Sequence, residues 1–348
     1  MSIDKKIKAL CLFSGGLDSV VAAKLVKDQG IECIAINFTA PFIVSTGTDD
    51  DNPIKKAAEE IGIEYRRIPL DDDFIDVIRN PGHGHGKGLN PCVDCKIYMI
   101  RYAGRLMKKF GAGFLVTGEV LGQRPMSQQR KSMNLIENQS GLEGLILRPL
   151  SARHFDETIP EKNGWVDRTK LLSVNGRGRN IQLEYAKKWG IKSYGSPAGG
   201  CLLTEKLFAV KLKDLFDNKM DADYKDMGLL RIGRHFRFGK NKIVVGRNKQ
   251  ENDLLKSYRS DDESIFEVLA CGSPATLLQG EVNDKSLEFA AGLTAMYSDD
   301  KSERVKVNYG KDELDNEIFA GKMDMEYTKQ FNLAFKKLGN KKIIVDDR

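Results

Sequence analysis

The amino-terminal third of the chain alternates between short apolar runs and segments with helical periodicity. Residues 7–13 (IKALCLF) are typical of a buried strand, and a helix is predicted from Asp18 to Gln29. A second helix is predicted after Asn52, which stands where an N-cap is expected. Three further strands are predicted at residues 31–38, 63–70 and 113–119. Alternation of this kind predicts a doubly wound α/β fold, in which a parallel sheet carries helices on both faces.

The chain is long enough for two domains, and its texture changes near residue 204. Short alternating strands such as RIGRHFRFGKNKIVVGR follow this point. We therefore predict an α/β domain at residues 1–203 and a smaller α+β domain at residues 204–348. No stretch approaches the ~18 consecutive apolar residues of a membrane span, so a cytoplasmic protein with no membrane partner is expected. The net charge of +6 suits a polyanionic partner without requiring one.

The strand at residues 7–13 ends in the sequence SGGLDS, residues 14–19, and a predicted helix follows directly. Backbone N–H groups at a helix N-terminus attract phosphate, and Gly15 and Gly16 let the chain approach an anion closely. Asp18 would repel a bare phosphate, which suggests bound Mg²⁺ or a separate role for its carboxylate. A Walker A loop and a dinucleotide fingerprint both require residues that this segment lacks. The alternative is a plain turn in which Ser and Asp cap the helix.

SGGLDS resembles the signature of the PP-loop ATP pyrophosphatases, which have the adenine nucleotide alpha hydrolase-like fold. These enzymes cleave ATP between the α- and β-phosphates and transfer AMP to an oxygen of the substrate. The resemblance implies that the turn binds the pyrophosphate portion of ATP, and that Asp18 lies close to the phosphates and Mg²⁺. It also implies that Asn37 and Phe38, which end the second predicted strand, border the adenine.

The cysteines divide into two groups by their surroundings, and a disulfide framework is not expected. Three are predicted to be structural, because they lie in or beside apolar runs: Cys11, Cys33 and Cys271. Cys92 and Cys95 open a predicted helix, where a thiol has a lowered pKa and is a better nucleophile or ligand. Cys201 ends the glycine- and proline-rich sequence SPAGGC.

Three interpretations of Cys92, Cys95 and Cys201 remain open from the residues alone. In the first, the pair is incidental or half of a zinc site, which His83 and His85 would complete at poor spacing. In the second, one cysteine carries a persulfide and another resolves it. In the third, the three thiolates hold a [4Fe-4S] cluster that leaves one iron open to bind sulfide.

A PP-loop domain with NPCVDC (residues 90–95) and a later single cysteine resembles the tRNA thiouridine synthases. Some of these enzymes use a three-cysteine cluster, and others use a persulfide pair. TGEVLGQRPMSQ (117–128) and LRPL (147–150) are similar to a region of the 4-thiouridine synthases that borders the nucleotide and the target base. Because the PP-loop begins here at residue 14, the N-terminal RNA-binding extension of the 4-thiouridine enzymes is not expected.

This resemblance implies ATP-dependent thiolation of a uridine in tRNA. A carbonyl oxygen of the base attacks the α-phosphate, pyrophosphate leaves, and sulfur from a sulfide or persulfide donor then displaces AMP. The resemblance favours the cluster, and the implied catalytic residues are Asp18, Cys92, Cys95 and Cys201, the last three as iron ligands. The implied ATP-binding residues are Ser14, Gly15, Gly16, Asp18, Ser19, Asn37, Phe38, Gly118 and Gln123.

Residues 229–248 are predicted to form a β-hairpin in which basic residues interleave with Phe236 and Phe238. Basic and aromatic side chains together are typical of nucleic-acid surfaces, although a hairpin that buries its phenylalanines is the alternative. With residues 288–310, this segment is similar to the RNA-binding domain of the NFACT proteins. The residues expected to contact tRNA are Arg124, Arg231, Arg234, Arg237, Lys240 and Lys242.

Two other functions fit parts of the pattern. A PP-loop ligase would deliver an amine to an adenylated substrate, and the three cysteines outside apolar runs would then have no role. An RNA-binding factor would use ATP only as a switch and would leave the nucleosides of tRNA unmodified.

Overall fold

The computed structural model describes residues 7–41, 43, 52–195 and 201–336. The chain divides into two compact units. The first contains the residues up to Gly86 and those from Asn90 to Cys201, and the second contains Lys87–Leu89 and the residues from Leu202 onward. The sequence-based boundary after residue 203 lies close to this division, but it does not anticipate that residues 87–89 belong with the second unit.

The first unit is built on a parallel sheet, in which five strands are described, in the order β3-β2-β1-β4-β5. These strands are β1 (Lys8–Leu12), β2 (Glu32–Thr39), β3 (Glu64–Pro69), β4 (Phe114–Thr117) and β5 (Ile146–Leu147). The predicted α/β fold with a parallel sheet is confirmed. The strand order reverses between β1 and β4, so a crevice is expected outside the carboxyl ends of these two strands.

Helices cover both faces of this sheet. They are α1 (Leu17–Lys27), α2 (Pro53–Glu60), α3 (Phe74–Arg79), α4 (Cys92–Phe110), α5 (Arg130–Ser140), α6 (Ile159–Lys162) and α7 (Asn180–Lys188), with 3₁₀ turns at Ala152–His154 and Arg168–Lys170. Alternate strand residues such as Ala9 and Cys11 pack in one core with α1. Leu10 is equally buried and points to the opposite face, where α4 contacts β1 and β4. Asn52 caps α2 as predicted, because its side chain accepts a hydrogen bond from the N–H of Ile54 at 2.9 Å.

The second unit contains an antiparallel sheet, whose described strands have the order β11-β10-β8-β9-β7-β6. Its strands are β6 (Arg234–Phe238), β7 (Asn241–Val245), β8 (Ser264–Glu267), β9 (Thr276–Gln279), β10 (Arg304–Gly310) and β11 (Asn316–Gly321). Its helices are α8 (Lys206–Asn218), α9 (Tyr224–Leu229), α10 (Lys249–Tyr258), α11 (Asp284–Met296) and α12 (Met325–Lys329), with 3₁₀ turns at Leu202–Thr204 and Leu333–Phe335. The predicted α+β class of this domain is confirmed.

The second sheet also buries both faces. Phe236, Phe266 and Leu278 pack on one side with α11, while Val244 and Leu277 pack on the other with residues of α9 and α10. Strands β6 and β7 form the predicted hairpin, with Phe238 opposite Asn241. Among the residues described, no helix combines the length and the apolar character needed to cross a membrane.

Candidate active site

The turn between β1 and α1, residues 14–16, combines a left-handed glycine with an uncapped helix start. Gly15 has a φ of +70°, and a Cβ at this position would lie 2.9 Å from the Ile54 side chain, so glycine is required for two reasons. Gly16 is the N-cap of α1 and offers no side chain to the first-turn N–H groups. These donors, at the positive end of the helix dipole, are therefore suited to bind an anion. We call residues 14–19 the phosphate-binding turn.

Two serines hold the shape of this turn. The Ser19 hydroxyl donates to the carbonyl oxygen of Gly16 at 2.8 Å and lies 3.3 Å from the Ser14 hydroxyl oxygen. The N–H of Gly16 reaches the Ser14 oxygen at 3.4 Å. Ser19 is buried and Ser14 is exposed, so Ser14 is the hydroxyl that a bound phosphate could contact directly.

Gly118 lies directly against the phosphate-binding turn. A Cβ on Gly118 would be 2.6 Å from the backbone nitrogen of Ser19 and 2.7 Å from the carbonyl carbon of Asp18. The end of β4 and the start of α1 are thus in backbone contact. This places the predicted 117–128 segment beside the turn.

Asn37 and Phe38 lie at the end of β2 but are buried. The Asn37 amide donates to the carbonyl oxygen of Phe13 at 3.1 Å and accepts from the Tyr65 hydroxyl at 3.1 Å. Phe38 packs edge-to-face against Tyr102, with ring centroids 5.5 Å apart. Both side chains brace the strand ends that form the crevice.

Asp18 is held by side chains from two distant parts of the chain. Gln123 donates its amide to one carboxylate oxygen at 3.2 Å, and Gln182 donates to the other at 3.0 Å. Arg179 lies 3.9 Å from the same carboxylate. Gln182 is fully buried, and its own carbonyl oxygen has no hydrogen-bond partner among the described residues.

The sequence does not predict Gln182 as a site residue, and it predicts the arginines of residues 175–180, Arg179 among them, only as an RNA-phosphate contact or as part of a solvated loop. The available signal was the sequence NGRGRN, in which arginines alternate with glycines directly before α7. A glycine-rich segment before a helix start repeats the pattern of the phosphate-binding turn, although its position relative to Asp18 depends on the tertiary fold.

Cys92 lies near the phosphate-binding turn, because one short segment contacts both. The Cys92 thiol donates to the Ser127 hydroxyl at 3.3 Å, and Gln123, four residues earlier, bonds to Asp18. The N–H of Gly195 also donates to the carbonyl oxygen of Gly15 at 2.9 Å. This contact brings the chain to the turn six residues before Cys201. Residues 196–200, which connect Gly195 to Cys201, lie outside the described residues.

The three predicted cysteines are close enough to influence one another. Contrary to the lowered pKa expected at the helix start, burial raises the pKa of the Cys95 thiol strongly, and the neighbouring Cys201 and Cys92 raise it further. Lys96 acts in the opposite direction. The thiol of Cys95 is therefore protonated at neutral pH unless a positive charge binds beside the three cysteines and stabilises the thiolate.

Among the described residues, no group of three His, Cys, Asp or Glu side chains has the geometry to hold a metal ion. His83 is bonded through Nδ1 to Asp94 at 2.9 Å, and His85 through Nε2 to the carbonyl oxygen of Ile78 at 2.7 Å. The contacts of both histidines therefore differ from those expected for the zinc site with Cys92 and Cys95.

An internal ion-pair network joins the cysteine helix to the end of β4. Glu119 is buried and contacts Lys96 at 2.5 Å and Arg148 at 3.3 Å. Burial opposes ionisation of Glu119, but the two cations outweigh it and lower the pKa to about 2. Arg148 also pairs with Glu137 at 2.6 Å. The network fixes the start of α4, and therefore the thiols, relative to the strand edge.

In the second unit, two of the predicted RNA-binding cations lie in the interior. Arg237 forms a two-point contact with Asp214, at 3.0 Å and 2.6 Å, and its side chain is 10% exposed. Lys242 is 6% exposed and 3.9 Å from the same carboxylate, and burial lowers its pKa to about 8. The expectation that these two side chains contact RNA is therefore corrected: they balance a buried carboxylate.

The other predicted cations of this region are more accessible. Arg231 and Lys240 are exposed, and Arg234 lies over the Tyr297 ring at 4.5 Å. Phe236 is fully buried and Phe238 stacks on the α11 side of the sheet, so the hairpin buries its aromatic residues. In the first unit, Arg124 is exposed beside Gln123.

Two family descriptions match this chain. Residues 5–160 match "Thiamine biosynthesis protein (ThiI)", and residues 233–332 match "NFACT protein RNA binding domain". The predicted resemblance to a PP-loop enzyme of the thiouridine synthase type with an NFACT-like region is confirmed.

Curated relatives agree with the first match. A probable tRNA sulfurtransferase of Thermococcus kodakarensis is 31% identical over 157 residues, which cover 44% of this chain and 39% of that protein. A tRNA-specific 2-thiouridylase MnmA of Listeria monocytogenes is 21% identical over 345 residues, covering 90% of this chain and 87% of that protein. This chain thus spans well under half the length of the first relative and most of the second.

Solved structures with partial similarity include a 4-thiouridine synthetase in complex with RNA and ATP. That structure has 18% identity and a TM-score of 0.37, and it covers 64% of this chain and 52% of its own. The C-terminal part of a fibronectin/fibrinogen-binding protein from Streptococcus suis has 17% identity and a TM-score of 0.27, covering 43% of this chain and 79% of its own.

Proposed function

Because this chain joins a PP-loop domain of the ThiI type to an NFACT-type RNA-binding domain, we propose that it is an ATP-dependent tRNA sulfurtransferase. Its substrate is a uridine of tRNA, in which one carbonyl oxygen is replaced by sulfur. One observation carries the proposal. The segment from Gln123 to Ser127 contacts Asp18 of the phosphate-binding turn at one end and the thiol of Cys92 at the other. Nucleotide and sulfur chemistry therefore have neighbouring sites.

The first step activates the base. A uridine carbonyl oxygen is a poor leaving group, so it attacks the α-phosphate of ATP, and pyrophosphate departs. The uncapped N–H groups of the phosphate-binding turn bind the pyrophosphate portion, and the Arg179 guanidinium stabilises negative charge close to Asp18. The carboxylate of Asp18 is a hard oxygen donor suited to Mg²⁺, which when bound would neutralise phosphate charge. Before Asp18 could bind Mg²⁺, its carboxylate would have to exchange the hydrogen bonds that it accepts from the amides of Gln123 and Gln182.

The second step transfers sulfur from the thiol group formed by Cys92, Cys95 and Cys201. In the persulfide route, the terminal sulfur bonds to the activated carbon and AMP leaves. A second cysteine then attacks the remaining S–S bond, which releases the thiouridine and leaves a protein disulfide that an external thiol must reduce. Cys92 is the better carrier, because its thiol contacts the segment that also reaches Asp18, whereas burial raises the pKa of the Cys95 thiol.

The predicted [4Fe-4S] cluster is a second form of the carrier. It is supported by the mutual influence of the three thiols, since bound iron would supply the positive charge that three thiolates need. It is opposed by the lack of a metal-binding arrangement among the described residues. Iron and acid-labile sulfide in anaerobically purified protein test this form. A protein that thiolates tRNA without iron excludes it and leaves the persulfide route.

The tRNA partner is proposed to contact both units. Arg124 is exposed next to Gln123 in the first unit. In the second unit, the proposed RNA contacts are Arg231, Arg234 and Lys240. Arg237 and Lys242 are left out because they lie in the interior beside Asp214.

The experiment that tests this function separates its two steps. Wild-type protein, Asp18→Asn and Cys92→Ser are supplied with ATP, tRNA and a sulfur donor, and pyrophosphate and thiouridine are both measured. Asp18→Asn should lose both products. Cys92→Ser keeps the hydroxyl contact to Ser127, and it should release pyrophosphate but form no thiouridine. Cys271→Ser is the matched control, since Cys271 lies in the second unit.

Three outcomes would contradict the proposal. Thiouridine formation by Cys92→Ser and Cys201→Ser at the wild-type rate would remove the thiols from the chemistry. Pyrophosphate release that requires an added amine, with no sulfur incorporated, would favour the PP-loop ligase. If tRNA from cells lacking the protein has unchanged nucleosides, the ATP-switched RNA-binding factor is favoured instead.

A further inference from the structure

Helix α4 has an unbalanced charge distribution. It spans 19 residues and contains five basic side chains but one acidic side chain, Asp94. Asp94 accepts hydrogen bonds from the N–H groups of Gly82 and His83, both at 3.1 Å, so it is directed at the preceding loop. Lys96 pairs with the buried Glu119. The four remaining cations are exposed, and we call them the α4 basic stripe: Arg101, Arg105, Lys108 and Lys109.

The helical period places these residues on one face. Arg101, Arg105 and Lys108 follow the i, i+4, i+7 spacing, and Lys109 flanks them. They extend over ~10 Å of the helix axis. The opposite face of α4 buries Ile100 in the core of the first unit. The stripe therefore faces solvent along its whole length.

The charges of the stripe are only partly compensated within the protein, because Asp71 and Asp73 approach Tyr98 and Tyr102 on the side of Arg105. Among the described residues, none of the four forms an ion pair. Some cations of other helices pair one turn away: Lys24 with Asp28, Lys55 with Glu59, and Lys213 with Asp217. Arg101 donates a hydrogen bond to the carbonyl oxygen of Gln139 at 2.8 Å, but a neutral carbonyl does not neutralise the guanidinium charge. Like charges at this spacing destabilise a helix, so the stripe has an unfavourable effect on the isolated fold.

The helix dipole accounts for only part of the stripe. Lys108 and Lys109 lie in the last turn, where cations interact favourably with the helix C-terminus. Arg101 and Arg105 lie in the middle of the helix, where this effect has faded. Of the helices that pack on α4, α5 does not compensate them, because its acidic residue, Glu137, is directed at Arg148. The segment before α3 places Asp71 and Asp73 near Tyr98 and Tyr102 and so offsets part of the charge of Arg105 alone.

We propose that the α4 basic stripe binds the phosphate backbone of the tRNA. The inference rests on the proposed function for the identity of the polyanion, and on charge complementarity for the surface. The same helix begins at Cys92, ~14 Å along the axis from Arg101. RNA bound along the stripe would thus be attached to the element that carries the sulfur-bearing thiols, independently of the contacts in the second unit.

The test compares two variants with the same change in net charge. In the first, Arg101, Arg105, Lys108 and Lys109 are all replaced by Gln, which is a good helix former. In the control, four exposed lysines of the first unit are replaced by Gln: Lys162, Lys170, Lys187 and Lys188. The full chain is used, and tRNA affinity is measured from low to moderate salt together with ATP affinity and thermal unfolding.

The stripe variant is expected to bind tRNA about 10- to 100-fold more weakly. The slope of log affinity against log salt concentration should be smaller in magnitude by about 2 to 3. The reason is that each phosphate contact contributes about 0.7 to 0.9 to this slope. ATP affinity should not change, and the control should bind tRNA within about twofold of wild type.

Equal affinity and slope for the stripe variant and the control would overturn the inference while leaving the proposed function intact. A protein that binds tRNA through the stripe but forms no thiouridine would support the inference and reject the proposed function. Wild-type protein that does not bind tRNA at all would reject both.

Discussion

At the scale of single residues, Gly118 is the closest contact between β4 and the phosphate-binding turn. In Gly118→Ala the new methyl group would lie 2.6 Å from the backbone nitrogen of Ser19, so the start of α1 must shift. Because the shift moves the N–H groups that face the phosphates, we expect ATP affinity to fall by at least about tenfold. Isothermal titration with ATP measures this effect, and thermal unfolding reports any loss of stability.

Gly321→Ala is the control for this substitution. Its methyl group would meet the carbonyl oxygen of Glu303 at 3.9 Å, an ordinary contact, so stability and ATP affinity should stay close to wild type. Wild-type ATP affinity in Gly118→Ala would show that the end of β4 does not shape the nucleotide site.

The residues of this site differ in how far the sequence could predict them. The strand, the glycines and Asp18 are adjacent along the chain, so their local pattern sufficed to predict an anion-binding turn. Gln182 is separated from Asp18 by 164 positions, and no local pattern predicts that its amide reaches the carboxylate. Its place depends on how α7 packs against α1, which is a property of the tertiary fold.

At the scale of elements, Glu119 connects α4 to the end of β4 and makes stability depend on pH. Its folded pKa of about 2 lies below the ordinary value of 4.5, so the folded state favours the ionised form. The resulting stabilisation is fully present above pH 4.5 and is lost as the pH falls towards 2. It is on the order of 3 kcal/mol. Glu119→Gln should therefore lower the free energy of unfolding at pH 7, and the difference from wild type should shrink below pH 4.5.

Chemical denaturation at pH 7, 4 and 3 measures this difference. Glu143→Gln removes an exposed carboxylate of the same unit and should have little effect at any of these values. A constant gap between Glu119→Gln and wild type across the series would mean that the carboxylate is not held by Lys96 and Arg148.

The hairpin of the second unit depends in the same way on Asp214, a residue of α8. Asp214→Ala would leave Arg237 and Lys242 buried without their carboxylate. Removal of one partner from a buried ion pair typically costs about 3 to 5 kcal/mol, and we expect a loss of this size in urea unfolding. Asp217→Ala, on the same helix, breaks an exposed pair with Lys213 and should cost about 0.5 kcal/mol or less. Equal effects of the two substitutions would contradict the internal role of Asp214.

The hairpin also shows where pattern-based prediction fails at this scale. The alternating pattern of residues 229–248 is sufficient to predict a β-hairpin. The side chain of Lys242 is buried beside Asp214, and the sequence separates them by 28 positions. A basic residue on a strand is usually solvent-facing, so its use as an internal counter-charge required the packed structure.

At the scale of the whole molecule, the proposed function assigns nucleotide and sulfur chemistry to one unit and part of the RNA contact to the other. This division predicts that some substitutions weaken tRNA binding without affecting ATP. Replacing Arg231, Arg234 and Lys240 together by Gln should lower tRNA affinity about tenfold or more and reduce its salt dependence. ATP affinity should remain at the wild-type value, because every residue of the phosphate-binding turn lies in the first unit.

The matched control replaces three exposed lysines of the second unit: Lys285, Lys301 and Lys311. Both variants lose three positive charges, so a purely non-specific attraction to tRNA would weaken equally in each. If they do weaken equally, the hairpin surface has no special role in RNA binding. If only the Arg231, Arg234 and Lys240 variant weakens, and thiolation by that variant recovers at saturating tRNA, the second unit acts in substrate binding rather than in chemistry. Thiolation that stays low at saturating tRNA would instead mean that these side chains also orient the uridine, which the proposed division does not allow.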